Sequence, residues 1–221
     1  MRSISKWNET PRDNVRVAEL DVTSAESINA VVAQILSEDG KIDIVVNNAG
    51  YGIAGTIEQV SIDDAKSLFD VNVWGPVRLL QAVLPYMRSR RSGHVINISS
   101  TSGIRGIPCF EFYTGSKFAL EGIMDSMRYS LAAFNISVTN VNAGPVRTSF
   151  TDRFGNSELG GKGTRSINDP TGYLSSFTNR MILGLNKRME SPEAQTVENV
   201  ARLIVNIAII RCVLNHLPTE L

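Results

Sequence analysis

The chain has 221 residues, sets 22 Lys and Arg against 22 Asp and Glu, and is 43% hydrophobic. That size fits one compact α/β domain, and the apolar content argues against disorder as the main state. Zero net charge argues against a protein that holds nucleic acid or polyphosphate by bulk electrostatics.

Residue types narrow the field further. Cys109 and Cys212 make no disulfide framework, so a reducing, cytoplasmic setting is expected. The histidines are His94 and His216, and no C-x-x-C, H-E-x-x-H or EF-hand spacing occurs, so no metal is expected. Met1 to Ser5 leads into no apolar h-region, so no signal peptide is expected. The most apolar run, Leu203 to Leu214, contains Asn206 and Arg211 and is too short for a membrane span. It reads as an amphipathic or buried helix.

In chain order, Val15 to Asp21 reads as a short strand. Thr23-Ser24-Ala25-Glu26 matches a capping box, and Ile28, Val31, Val32 and Ile35 keep helical spacing to about Ser37, with Gly40 as the stop. Ile42 to Asn47 is the continuous apolar run of a parallel strand covered on both faces. Ser61-Ile62-Asp63-Asp64 opens a long helix reaching about Arg91. His94 to Ser99 is a second buried strand, Glu111 to Phe134 a helix, and Ile136 to Asn142 a third such strand. Thr151 to Met189, rich in Gly, Ser, Thr and Asn, reads as a long loop, and a helix is predicted to begin near Ser191-Pro192-Glu193. Strands alternating with helices predict right-handed crossovers and an open parallel sheet in a single domain.

In such sheets ligands sit beyond the carboxyl ends of the strands. Four strand ends qualify: Asp21-Val22-Thr23, Asn47-Asn48-Ala49-Gly50, Ser99-Ser100, and Ala143 to Thr148. On the helix after Ser100 comes Tyr113-Thr114-Gly115-Ser116-Lys117, which places Tyr113 and Lys117 on one helix face. A free phenol, with a pKa of about 10, is a poor acid–base group at neutral pH, and a neighbouring ammonium favours its anion. A Ser100 hydroxyl beside it can polarise a substrate oxygen. Singly, each signal has a plainer reading: an exposed helix pair, a turn, or, for Asn72, a solvent-facing residue or local kink. Their joint order at strand ends is what carries weight. Ser100 lacks a G-x-S-x-G context, which sets a serine hydrolase aside. His94, at a strand start, reads as structural. Arg88, Arg90 and Arg91 read as cations at a helix C-terminus.

With Asp21-Val22-Thr23, Asn47-Asn48-Ala49-Gly50, Asp70 to Gly75, Gly93 to Ser100, Tyr113 to Lys117 and Gly144 to Thr148 in this order, the sequence resembles the classical short-chain dehydrogenase/reductases, nearest the 17β-hydroxysteroid and retinol dehydrogenase branch. The resemblance implies a Rossmann-like doubly wound sheet and hydride transfer between an alcohol or carbonyl and NADP or NAD. It implies Tyr113 as acid–base, Ser100 as the group orienting the substrate oxygen, and Lys117 as the holder of the nicotinamide ribose that also lowers the Tyr113 pKa. Asn72 would hold a relay water. Asp21 and Val22 would contact adenine, Asn47 and Ala49 would line the cofactor path, and Thr148 would touch the carboxamide or phosphates. Residues 151–190 would form the substrate lid, and the Asn72 and Tyr113 helices would meet a second subunit.

The family's T-G-x-x-x-G-x-G turn is absent from this sequence, so the fold is expected to lack its first βαβ unit. Gly160-Gly161-Lys162-Gly163 follows no predicted strand and reads as a loop. Ala143 stands where the family usually has Pro. Two classes of function follow: an oxidoreductase by descent, and a non-catalytic remnant that dimerises or binds protein.

Overall fold

The computed structural model describes residues 14–148, 150 and 169–215. Three parallel strands, β1 (Ile44–Asn47), β2 (Gly93–Ser100) and β3 (Ile136–Ala143), form a sheet in the order β1-β2-β3. Ile44 pairs with His94, and Gly93 with Ile136, so the three carboxyl ends lie together. The helices are α1 (Ala25–Asp39), α2 (Ile62–Phe69), α3 (Gly75–Arg90), α4 (Glu111–Ala132), α5 (Tyr173–Glu190) and α6 (Val197–Asn215). This is the α/β, Rossmann-like architecture expected, with a truncated sheet.

The main core lies between one sheet face and α1, α3 and α4. Val45, Val95, Ile136 and Val138 meet Ile28 and Val32 of α1, Leu80, Val83, Leu84 and Met87 of α3, and Leu120, Met124 and Leu131 of α4. Gly93 takes part through what it lacks: a Cβ there would lie 2.5 Å from the Met87 sulfur, so only glycine lets β2 start beneath α3. A second core, described below, sits at the carboxyl ends of the strands.

Four sequence expectations are corrected. Residues 15–22 form no strand, and Val15, Val17 and Leu20 are exposed. An extended segment becomes a strand only by pairing, and no described strand runs beside this one. The N-cap of α1 is Ser24, whose hydroxyl accepts the Ser27 N–H, because Thr23 is engaged with Asp21. The long helix is not uniform: Asp70–Trp74 forms a π turn between α2 and α3. The stretch read as a long loop contains α5, whose buried stripe of Thr178, Ile182 and Met189 has helical spacing.

The last helix begins at Val197, with the Thr196 hydroxyl accepting the Asn199 N–H, and not at Ser191-Pro192-Glu193. Gln195 is held extended by backbone bonds to Pro145 and Arg147, which delays the helix by a turn. Elsewhere the predicted ends agree with the structure to within about two residues, including the Gly40 stop at φ 71°. The glycine cluster at 160–163 and most of the predicted lid lie outside the described residues. Among the described residues no helix is long and apolar enough to cross a membrane.

Candidate active site

The site is built where β1 and β2 end and α4 begins. Ser100, the last residue of β2, caps a short 3₁₀ turn (Thr101–Gly103), its hydroxyl accepting the Ser102 N–H at 3.1 Å. The same hydroxyl faces the Tyr113 phenol on the first turn of α4, near enough to favour its anion. Tyr113 is 8% exposed. Phe110 meets its ring edge-on at 6.5 Å between centroids, and Phe150 lies tilted against it at 5.6 Å. Ile53, Ala54, Val60, Leu68 and Ile182 complete this second core, with Leu185 packed against it.

Lys117, one turn on, is 6% exposed and donates to the Ile98 carbonyl at 2.9 Å. Its ammonium lies 5.8 Å from the Tyr113 ring centroid. Burial pulls the Lys117 pKa down to about 8, with Glu121 opposing that fall. Burial pushes the Tyr113 phenol up, against the pull of the Ser100 hydroxyl. The expected lowering of Tyr113 by Lys117 is therefore not seen in this arrangement: desolvation dominates both groups.

Asn72, read alone as a solvent-facing residue or a local kink, is 1% exposed and lies in the π turn. The π turn carries it across to the loop after β1, where its amide donates to the Tyr51 carbonyl at 2.9 Å and accepts the Tyr51 N–H at 3.0 Å. It also donates to Ser116 on α4 at 3.1 Å. Asn72 thus ties the β1 end to the helix bearing Tyr113 and Lys117. A Cβ at Gly50 would lie 3.2 Å from the Asn72 carbonyl oxygen and 3.8 Å from the Lys117 nitrogen. Glycine keeps that approach to Lys117 open.

The other candidates lie around this centre. Asn47 is buried at the end of β1 and donates to Asn97 at 2.7 Å. Ala49 is exposed on the loop beyond it. Asp21 accepts from the Thr23 N–H and hydroxyl, which keeps its carboxylate below the usual range. Val22 packs against Gly75, where a Cβ would sit 2.8 Å from a Val22 methyl. Thr148 is exposed and bonds locally to Val146 and Phe150. Asp21, Val22 and Thr148 make no recorded contact with the Tyr113–Lys117 centre.

Sequence reasoning missed the walls of the site. Phe150, Ile182 and Leu185 converge on the second core, and the spacing of 178, 182, 185 and 189 was the available signal. It also missed the joint that seats α5. The Thr178 hydroxyl donates to the buried Gln59 carbonyl oxygen at 2.8 Å and lies 3.6 Å from the Cys109 sulfur. Gln59 also accepts the Thr56 N–H.

Ser100, Tyr113 and Lys117 thus stand together at the ends of the parallel strands, as the family resemblance implies. Residues 2–158 match the family model for short chain dehydrogenase, and the chain belongs to that family of NAD(P)-dependent oxidoreductases. It is 43% identical over 148 residues to a 3-ketodihydrosphingosine reductase of Bacteroides thetaiotaomicron, a match covering 67% of this chain and 55% of that protein. It is 37% identical over 193 residues to retinol dehydrogenase 8 of Bos taurus, covering 86% and 59%. The chain sits near the retinol and 17β-hydroxysteroid dehydrogenase branch and spans little more than half the length of these two relatives.

Solved structures agree. A short-chain dehydrogenase from Streptomyces avermitilis is 29% identical with a TM-score of 0.64, covering 92% of this chain and 79% of that one. A metagenomic short-chain oxidoreductase in complex with NADP is 33% identical with a TM-score of 0.55, covering 59% and 60%.

The residues present fit the nicotinamide end of such a cofactor. Gly50 lets the loop after β1 pack close to the Asn72 side chain and the Lys117 ammonium, a group that can donate to ribose hydroxyls. The pyrophosphate end finds no glycine-rich turn after a strand among the described residues.

Proposed function

We propose that the chain carries the catalytic part of an NADP- or NAD-dependent oxidoreductase that interconverts an alcohol and a carbonyl on a small, largely apolar substrate. The observation that carries this reading is the buried, aromatic-walled Tyr113 at the end of β2, with the Lys117 ammonium 5.8 Å from its ring and Ser100 beside it. The nicotinamide, when bound, supplies or accepts the hydride. The protein's share is to hold the substrate and move a proton. Ser100 donates to the substrate oxygen, and the Tyr113 hydroxyl gives that oxygen its proton in reduction and removes it in oxidation. Lys117 holds ribose hydroxyls and favours the Tyr113 anion once water is excluded. Asn72 holds the loop after β1 against α4 so that these groups stay in register. Phe110, Phe150, Ile182 and Leu185, packed around Tyr113, supply the apolar surroundings that favour an apolar substrate. Two relatives' names, a keto reductase and a retinol dehydrogenase, support the alcohol–carbonyl chemistry.

The test is turnover of NADPH and NADH by the chain with a panel of apolar ketones, comparing Tyr113→Phe. Loss of one hydroxyl should lower kcat about 100-fold or more while NADPH fluorescence still reports binding. Unchanged turnover in the variant would remove Tyr113 from the mechanism.

A second reading is a non-catalytic chain acting by dimerisation or protein binding. It predicts no change in NADPH fluorescence up to millimolar cofactor. Tight cofactor binding rules it out.

A further inference from the structure

Tyr113, Lys117 and Glu121 fall at i, i+4 and i+8 on α4, so Glu121 extends the site's helix face by one turn. Both of its carboxylate oxygens are taken. Asn140 donates to one and Asn142 to the other, from the end of β3. The carbonyl oxygen of Asn140 accepts from Asn97 on β2 at 3.1 Å, and that of Asn97 accepts from Asn47 on β1 at 2.7 Å. Asn47, Asn97 and Asn140 are direct partners in the parallel register. Three carboxamides thus form one rung across the whole sheet, buried at Asn47 and Asn97 and half-buried at Asn140, anchored on a carboxylate.

The chemistry of the anchor fixes the direction of the rung. A carboxylate only accepts, whereas a carboxamide has a donor end and an acceptor end. Glu121 therefore obliges Asn140 to point its NH₂ toward α4 and its oxygen toward Asn97, and the same choice passes to Asn97 and then to Asn47. The outermost amide is left with its oxygen free of the rung, at the strand end beside Ala49 and Gly50. Without the charge, that obligation on the orientation of the three amides is removed. The same carboxylate lies one helical turn from Lys117. Around Lys117 the other groups are the Ile98 carbonyl, Asn72 and the backbone at Gly50, all uncharged, and Tyr113, a neutral phenol.

We propose that Glu121 is a positioning residue of the site: it sets the polarity of the Asn140–Asn97–Asn47 rung, so that Asn47 offers an acceptor to the bound dinucleotide, and it supplies the negative charge that keeps Lys117 an ammonium. The assignment to a dinucleotide rests on the oxidoreductase reading; the rung and the charge effect do not. The experiment is accordingly run without cofactor, so that a failure of the rung and a failure of the activity are read separately.

The full chain, labelled with ¹³C at lysine and ¹⁵N at asparagine, is titrated by NMR as wild type and as Glu121→Gln. The Lys117 signal, identified by its loss in Lys117→Arg, should titrate near 8 in the wild type. In Glu121→Gln its midpoint should fall by about half a pH unit or more. The Asn47 side-chain amide signals should also move or double, because glutamine can face the rung either way. Absence of either change overturns the proposal. If Glu121→Gln does not fold, Glu121→Asp withdraws the carboxylate from Asn140 and Asn142. The Asn47 amide signals should then move, and unmoved signals overturn it equally.

Discussion

A single ammonium shows how burial and chemistry oppose each other at the site. Lys117 has its pKa pulled from the ordinary 10.5 to about 8, so above pH 8 the folded chain releases a proton that the unfolded chain still holds. Stability contributed through this group therefore rises with pH between about 8 and 10.5, and below 8 the charged, desolvated form weighs against the fold. The full span corresponds to about 3 kcal/mol. Lys117→Met removes that dependence. Urea unfolding at pH 7 and at pH 10.5 should show the wild type gaining about 3 kcal/mol on the variant across that interval. Equal differences at the two pH values would mean that Lys117 is not desolvated as the structure has it. A lysine maintained against such a penalty is explained by its reach to the Ile98 carbonyl and the open side at Gly50. The sequence showed this pair through spacing alone, because i,i+4 on a helix is fixed by geometry. It could not show the direction of either titration, which depends on burial created by residues as distant as Ile182.

Individual elements were legible in proportion to how much of their order is local. The α1 cap and stop, the three buried strands and the Tyr113 helix are written in neighbouring residues: Ser24, Gly40, and unbroken apolar runs. Val15 to Asp21 has the composition of a strand, yet a strand exists only through a partner, and composition does not supply one. The error at α5 runs the other way. Its Gly, Ser and Asn content suggested a loop, while its stripe buries Thr178, Ile182 and Met189 through tertiary contact. The Thr178–Gln59 hydrogen bond gives this element a test. Thr178→Val keeps the shape and removes the donor, leaving the Gln59 side-chain oxygen to accept from the Thr56 N–H. The expected loss is about 1 kcal/mol in the local stability of α5. Faster amide exchange should be confined to α5, and uniform acceleration would place the joint elsewhere.

At the scale of the molecule, the sheet has two open edges among the described residues, at β1 and at β3. The outer edge of β1 has no strand beside it among the described residues, and Val46 on that strand is 42% exposed. An unprotected edge with an apolar side chain is a template for pairing between chains. Val46→Lys should reduce concentration-dependent association, measured by light scattering, without lowering the unfolding midpoint by more than about a degree. If association is unchanged, it arises from another surface. The α/β class and the strand-end position of the site were readable because parallel strands force crossovers, and crossovers gather the carboxyl ends on one side. The composition of the aromatic and aliphatic wall was not, because Phe110, Phe150 and Ile182 meet at Tyr113 from three separate segments.

The π turn at Asp70–Trp74 makes residue count, independent of residue identity, a determinant of the site. Each residue of an α-helix advances the chain by about 100°. Removing one residue from this turn would let α2 and α3 merge at ordinary pitch, and Asn72 would swing away from Tyr51 and Ser116 by about that angle. Point substitutions on α3 leave that phase intact, whereas a one-residue deletion between 70 and 74 changes it for the whole helix.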